Sequence, residues 1–329
     1  MTSPDSKPAP QPSVFADVRR GFRTVARLAA HVKIREDLIP AYAARLAAAP
    51  APALLDEDHH YQGAPEETAS YLLALDAVNF GSGYKPFLAK EGLKLENGSI
   101  YFTVSTRLKE HFEKKGAPSA DDLTNLYSKD VKAIFGLDLQ GSYSDKFAVM
   151  CADSLRDLGR AVLEQADGSF LRYVEDTAPS AEQMVRRLIA MRGFNDIHTY
   201  KGELIPFYKR AQHNVTTLNL QFNRLDRPLF TDIGKVTMFA DNAVPKILHV
   251  DGILEYPAGL DDRIRRGELI PSGSEEEVEI RGCAGHAVEL IAASSGLTAT
   301  DVDFRLWHKS VDGPRYKATP SHRTLTIFY

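Results

Sequence analysis

The sequence predicts a mainly α-helical fold in one compact domain, all-helical but for few or no short strands, and three observations predict it. Apolar residues recur at alternating steps of three and four through most of the 329-residue chain. Strand-like alternation is scarce, with no regular succession of strand, helix and strand. No Gly/Pro/Ser-rich linker or internal repeat divides the chain.

Residues 1–13 are proline- and serine-rich and are expected to form a disordered tail, with the folded domain covering 14–329. Phe15, Val18, Phe22, Val25, Ala29 and Val32 then mark one apolar face of a helix. A second amphipathic stretch covers 38–46, and AAAPAPALLDEDHH reads as a loop by its prolines and charges. Residues 66–80 read as a buried helix ending in the glycine-bearing turn FGSGY (80–84). SIYFTV is β-prone but precedes a charged helical run, so 99–108 is ambiguous between a strand and a helix start. Ser119 and Ser180 are N-cap candidates, Ser180 with Gln183 as a capping box. Between them Phe147, Cys151, Leu155, Leu158 and Val162 form a stripe at helical spacing. Ser274 with Glu277 makes another capping box, opening a helix with buried face Ile280, Cys283, Ala284, Ala287 and Ile291.

The charge balance narrows the function. The formal net charge is −4 and no basic run occurs, so a long nucleic-acid partner is not expected, whereas a small phosphorylated ligand is compatible. Cys151 and Cys283 are far apart and lack metal-ligand spacing, and the adjacent His59 and His60 point apart on regular structure. No metal or organic cofactor is expected. There is no apolar signal region and no run of 18 apolar residues, so no membrane association is expected and the cytoplasm is the default. GxxxxGK[ST], GxGxxG, HExxH and GxSxG are all missing. Hydrolysis without a metal or a serine triad leaves carboxylate chemistry.

Four segments set polar residues in apolar context. In LALDAVNFGSGY, Asp76 and Asn79 lie three apart, and a carboxylate in such a run is either paired or functional. The structural alternative is an Asp that caps a neighbouring helix. IPFYKRAQ places Tyr208, Lys209 and Arg210 after a proline expected to fix a helix start. Such a turn suits a phosphate, the alternative being a solvated basic face. VTMFADNAVP sets Asp241 after Met238, Phe239 and Ala240, where it either serves catalysis or N-caps the next helix. The C-terminal blocks DVDFRLWHK and SHRTLTIFY hold Asp303, Trp307 and His308, then His322 and Arg323 beside an aromatic end expected to pack down.

Taken in order, LDAVNFGSGY, YFTVSTRL, PFYKRAQ, VTMFADNAVPKIL, EEEVEIRGCAGHAVELI, DFRLW and HRTLTIFY resemble the signature blocks of the queuosine salvage proteins. The resemblance runs from about Val14 to the last residue. It implies a helical fold similar to that of DNA glycosylases. It also implies hydrolysis of the N-glycosidic bond of queuosine 5′-monophosphate, with release of queuine. By motif, the family's catalytic Asp falls on Asp241 and the Lys of YKRAQ on Lys209. The family commonly carries an aromatic and then a basic residue after the Asp, where this chain has Asn242 and Ala243.

On that resemblance, Asp241 is expected to stabilise an oxocarbenium-like cation at C1′ and to take the proton of attacking water. A 7-deazaguanine base lacks N7, so hydrogen bonds to other edges, from Asp76, Asn79 or Asp303, are expected to help it leave. Lys209, with His322 or Arg323, is the candidate for the 5′-phosphate. Phe80, Phe239 and Trp307 are candidate stacking walls. Two alternatives stand beside this reading: a glycosylase acting on DNA or RNA, and a non-catalytic queuine carrier.

Overall fold

In the computed structural model, which describes residues 12–52 and 55–329, helix formation begins at Ser13. Its hydroxyl accepts the Ala16 N–H and opens α1 (Val14–Leu28), so one orphan donor of the first turn is satisfied. Phe15, Val18, Phe22 and Val25 are fully buried as the spacing predicts. Each such side chain contributes about 1.5–3 kcal/mol by burial. Residues 1–11 of the expected tail lie outside the described residues.

The chain continues through α2 (Ile39–Ala48), α3 (Pro65–Ala77), α4 (Lys85–Lys90), α5 (Ile100–Lys115), α6 (Ala120–Thr124) and α7 (Ser128–Phe135). The long α8 (Ser142–Ala166) leads to α9 (Phe170–Glu175), α10 (Ala181–Ile189) and α11 (Lys209–Arg224). Then follow α12 (Ala243–Val250), α13 (Ala258–Arg265), α14 (Glu275–Ser295), α15 (Ala299–Asp312) and α16 (Pro314–Ala318). The ambiguous stretch at 99–108 is helix: Ser99 caps it, and Ile100, Val104 and Leu108 face the core at steps of four. Among the described residues strands are confined to two pairs. β1 (Lys33–Ile34) pairs antiparallel with β4 (Leu254–Glu255). β2 (Ile197–Tyr200) and β3 (Glu203–Pro206) form a hairpin whose turn, Lys201–Gly202, has positive φ at both residues. No helix among the described residues is long and apolar enough to cross a membrane.

Helix α14 is the axis of the packing, with α1 and α2 laid against it. A Cβ at Gly282 would come within 2.6 Å of Val25, and one at Gly285 within 2.6 Å of Phe22, so these glycines permit the close approach of α1. Besides its apolar face, α14 buries Glu277, Glu279 and Arg281, which therefore require partners. Arg281 pairs with Asp196 at 2.5 Å and with Glu277 at 3.1 Å. Glu279 accepts backbone N–H groups of Ala30, His31 and Val32 and the Tyr200 hydroxyl. Layered beside this core, α3 packs on α11, and α12 on α15.

Three local expectations are corrected. Ser180 caps α10, but Asp232 rather than Gln183 completes the N-terminus, its carboxylate accepting from Ser180 Oγ and Ala181 N. Glu277 does not close a box on Ser274, because its carboxylate is taken by Gly273 N, Arg281 and Tyr329 Oη. Pro206 ends strand β3 and does not start α11, which begins after Tyr208 in the left-handed region.

Candidate active site

The segment 236–240 runs without regular structure through the interior, and three helices pin it in turn. Gln212 of α11 accepts from both Thr237 N and Thr237 Oγ1 at 2.9 Å. Asp303 of α15 accepts the Phe239 N–H at 2.9 Å. Arg281 of α14 donates through Nε to the Ala240 carbonyl at 2.8 Å. Asp241, half-buried, emerges from this clamp at the N-terminus of α12. Its Oδ1 accepts from Ala243 N at 2.7 Å and Val244 N at 3.4 Å, while Oδ2 makes no hydrogen bond with the described residues. The capping role thus uses one oxygen of the carboxylate and leaves the other without a hydrogen bond to the described residues.

A second polar cluster forms where α3 meets α11. Asp76 is fully buried and accepts at Oδ1 from Asn79 Nδ2 (2.9 Å), with His213 Nδ1 at 2.7 Å. Its Oδ2 accepts from Asn214 Nδ2 and Thr217 Oγ1. Burial alone would raise this carboxyl. The His213 interaction and the hydrogen bonds from His213 and Asn79 outweigh it and hold Asp76 below the ordinary range. Asp76 therefore serves a side-chain network rather than a helix end. Lys209, buried, donates to Asn79 Oδ1 at 3.2 Å. Burial lowers its amine, and the charges of Asp241 and Asp76 resist that. Arg210, read as either a phosphate contact or part of a solvated basic face, is instead fully buried, donating to the Ala77 carbonyl at the end of α3 and to the Gly193 carbonyl, with Phe80 and Phe194 against its guanidinium.

Asp303 completes the group. Burial first, then the negative charge of Asp241, pushes its carboxyl well above the ordinary range, against the pull of Lys209. Asp76, Asn79, Lys209, Phe239, Asp241 and Asp303 are thus brought together. The Phe239 ring lies 5.2 Å from the His213 ring, His213 lies 6.0 Å from Tyr101, and Tyr101 lies 6.0 Å from Trp307. These rings form a partly exposed aromatic wall running from the carboxylates to Trp307.

Other expected residues lie apart. Phe80 packs against Phe147 and Arg210 in the core. His322 is buried, its Nε2 3.0 Å from the Tyr329 hydroxyl, and burial with the Arg281 charge drives it down to about 3. It is therefore neutral at pH 7 and carries no charge toward a phosphate. Arg323 donates to the Gly267 carbonyl and stands over Phe87. The Asn242 amide ties to the His322 carbonyl at 3.2 Å, joining the departure from the family pattern to the C-terminal segment.

Sequence reasoning passed over His213, Lys246 and Lys85. Lys246, on α12, is half-buried and has no carboxylate within ion-pair distance among the described residues. Burial, then the Lys85 charge, lowers its amine to about 8, against the pull of Asp241. It also lines a cleft of about 470 Å³ together with Tyr256, Arg265, Arg315, Ser321 and His322. Its position in the VTMFADNAVPKIL block, five residues after Asp241, was the available signal. His31, Glu275 and Glu279 have metal-ligand spacing, but both oxygens of Glu279 already accept backbone N–H groups.

A family model described as queuosine salvage protein matches residues 59–329. A relative from Sphaerobacter thermophilus, named queuosine 5′-phosphate N-glycosylase/hydrolase, is 35% identical over 322 residues, covering 93% of this chain and 96% of its own. Relatives of the same name from Dictyostelium discoideum and Mus musculus are 31% and 32% identical, over 80% and 53% of this chain and 79% and 56% of theirs.

Proposed function

The chain belongs to the queuosine salvage protein family, and we propose that it hydrolyses the N-glycosidic bond of queuosine 5′-monophosphate to release queuine and ribose 5-phosphate. The observation that carries this reading is Asp241, held at the end of a segment clamped by three helices, with one oxygen left over for the reacting sugar.

Cleavage of the bond between C1′ and the base leaves positive charge on the ribosyl ring. A fixed carboxylate beside it lowers the barrier and can accept the proton of the attacking water. The capping bonds on Oδ1 fix Asp241 without moving it, so no reorganisation accompanies the reaction. Lys209 keeps Asp241 and the Asp76–Asn79 pair in register as the buried cation between them. Phe239, Tyr101, His213 and Trp307 supply the stacking wall for a flat base, with Asp76, Asn79 and Asp303 at its polar edge. Lys246, with Lys85 nearby, holds the 5′-phosphate. This assignment is supported by a cation that lacks an ion-pair partner and faces both the cleft and Asp241. Residues 14–329 act as one domain. The substrate is a free nucleotide in the cytoplasm rather than a long nucleic acid, a reading supported by the net charge of −4 and the lack of a basic run.

Incubating the protein with queuosine 5′-monophosphate and following queuine by chromatography tests the proposal. Catalytic release supports it. Tight queuine binding without release points to a carrier, and release only from intact tRNA points to a polynucleotide glycosylase.

A further inference from the structure

We propose that Asp303 is the acid that protonates the departing base, and that Asp303 and Asp241 carry one shared proton through the catalytic cycle. This rests on the glycosylase reading above and adds the group that activates the leaving base. The geometry is specific. Asp303 lies on α15 under the clamped segment, 3% exposed, with Oδ2 occupied by the Phe239 N–H. A proton on this carboxyl therefore resides on Oδ1. The backbone bond ties Asp303 to a residue two positions before Asp241, and the Asp241 charge acts on the Asp303 carboxyl. Asp241 and Lys209 are the charged groups that face Asp303. Burial and the Asp241 charge push the Asp303 carboxyl well above the ordinary range, whereas Asp241 is half-exposed and hydrogen-bonded to the N–H groups that open α12. Two neighbouring carboxyls with environments this different take the acid and base roles respectively.

The step balances with no further reactant than water. The C1′–N bond breaks and its electron pair moves onto the base. The Asp303 proton passes to an acceptor on that base, N3 or O6, since a 7-deazaguanine has no N7. Water adds its oxygen to C1′ and gives its proton to Asp241. The pair is then left with the proton on Asp241, and transfer back to Asp303, directly or through one water, restores the resting state. The deazapurine makes the acid necessary, because a base without N7 is a poor leaving group as its anion.

The test compares two substrates of unequal leaving ability. On 4-nitrophenyl β-D-ribofuranoside 5-phosphate the nitrophenolate departs without a proton. Asp303→Asn retains an acceptor for the Phe239 N–H but has no acid. It should lose about 100-fold or more in kcat on queuosine 5′-monophosphate. On the nitrophenyl substrate it should stay within about tenfold of wild type, whereas Asp241→Asn should fail on both. Wild-type enzyme provides a second reading that does not depend on the variant folding. Its kcat on the nucleotide should fall at high pH as Asp303 loses its proton, and that limb should be missing with the nitrophenyl substrate. Equal losses by Asp303→Asn on both substrates, or the same alkaline limb on both, would overturn the proposal while leaving the glycosylase reading intact. A wild-type enzyme inert on queuosine 5′-monophosphate would overturn both.

Discussion

Replacing Lys246 by Met isolates the proposed phosphate contact. Methionine keeps an unbranched apolar stem, and no carboxylate lies within ion-pair distance of Lys246 among the described residues, so no buried partner is stranded. A hydrogen bond to a charged group is worth about 1.5–3 kcal/mol. At 1.4 kcal/mol per factor of ten, that is about 10- to 150-fold in kcat/KM. Half-burial places the expectation in the lower part of that range, about 10- to 30-fold, for queuosine 5′-monophosphate. The unphosphorylated nucleoside should change by less than about threefold. Lys246 also sets a pH signature. Its amine is lowered to about 8, so it is a cation below that value and neutral above it. Because kcat/KM reports the free enzyme, the preference for the phosphorylated substrate should decline as pH rises from 7 to 9, and Lys246→Met should abolish this decline. Steady-state kinetics on the nucleotide and nucleoside pair, at several pH values, reads both effects. Equal losses on the two substrates would refute the assignment of Lys246 to the phosphate.

Two further perturbations probe what holds the site. Arg281→Met removes the cation from between buried Asp196 and Glu277 and releases the Ala240 carbonyl beside Asp241. Stranding buried carboxylates this way costs about 3–5 kcal/mol. At about 2 °C per kcal/mol for a long chain, calorimetry should show Tm lower by about 6–10 °C, and an unchanged Tm would contradict the network's role. His322 has its folded pKa near 3, below its ordinary value of about 6.5, so the unfolded chain binds the extra proton between these limits. Its contribution to stability is complete above pH 6.5 and is lost as pH falls toward 3, at up to about 1.4 kcal/mol per pH unit. Denaturant midpoints for His322→Gln should accordingly fall less steeply with acid than those of wild type, and parallel slopes would count against it.

Much of the scaffold was legible because helical periodicity is a local signal. Phe15, Val18, Phe22 and Val25 on α1, and Cys151, Leu155, Leu158 and Val162 on α8, face the core as their spacing indicates. The hairpin of β2 and β3 escaped notice because its strands are four residues each, although Lys201–Gly202 is a turn dipeptide. Arg210 looked like surface charge because its partners, the carbonyls at the end of α3, are more than 130 residues away in sequence. The same holds for His213, whose meaning depends on Asp76 across a helix pair. Asp241 posed a different problem. Capping and catalysis predict the same residue at the same place, and the structure contains the cap, so no local pattern could have separated them.

Asp241→Asn separates them. Asparagine caps a helix about as well as aspartate, so α12 should form and queuine should bind with little change. What it removes, on the proposed mechanism, is the charge beside C1′ and the base that takes the proton of water. The account predicts that purified Asp241→Asn releases queuine from queuosine 5′-monophosphate about 100-fold or more below the wild-type kcat, with Tm and queuine Kd nearly unchanged. A variant that folds, binds and turns over within about threefold of wild type would contradict it.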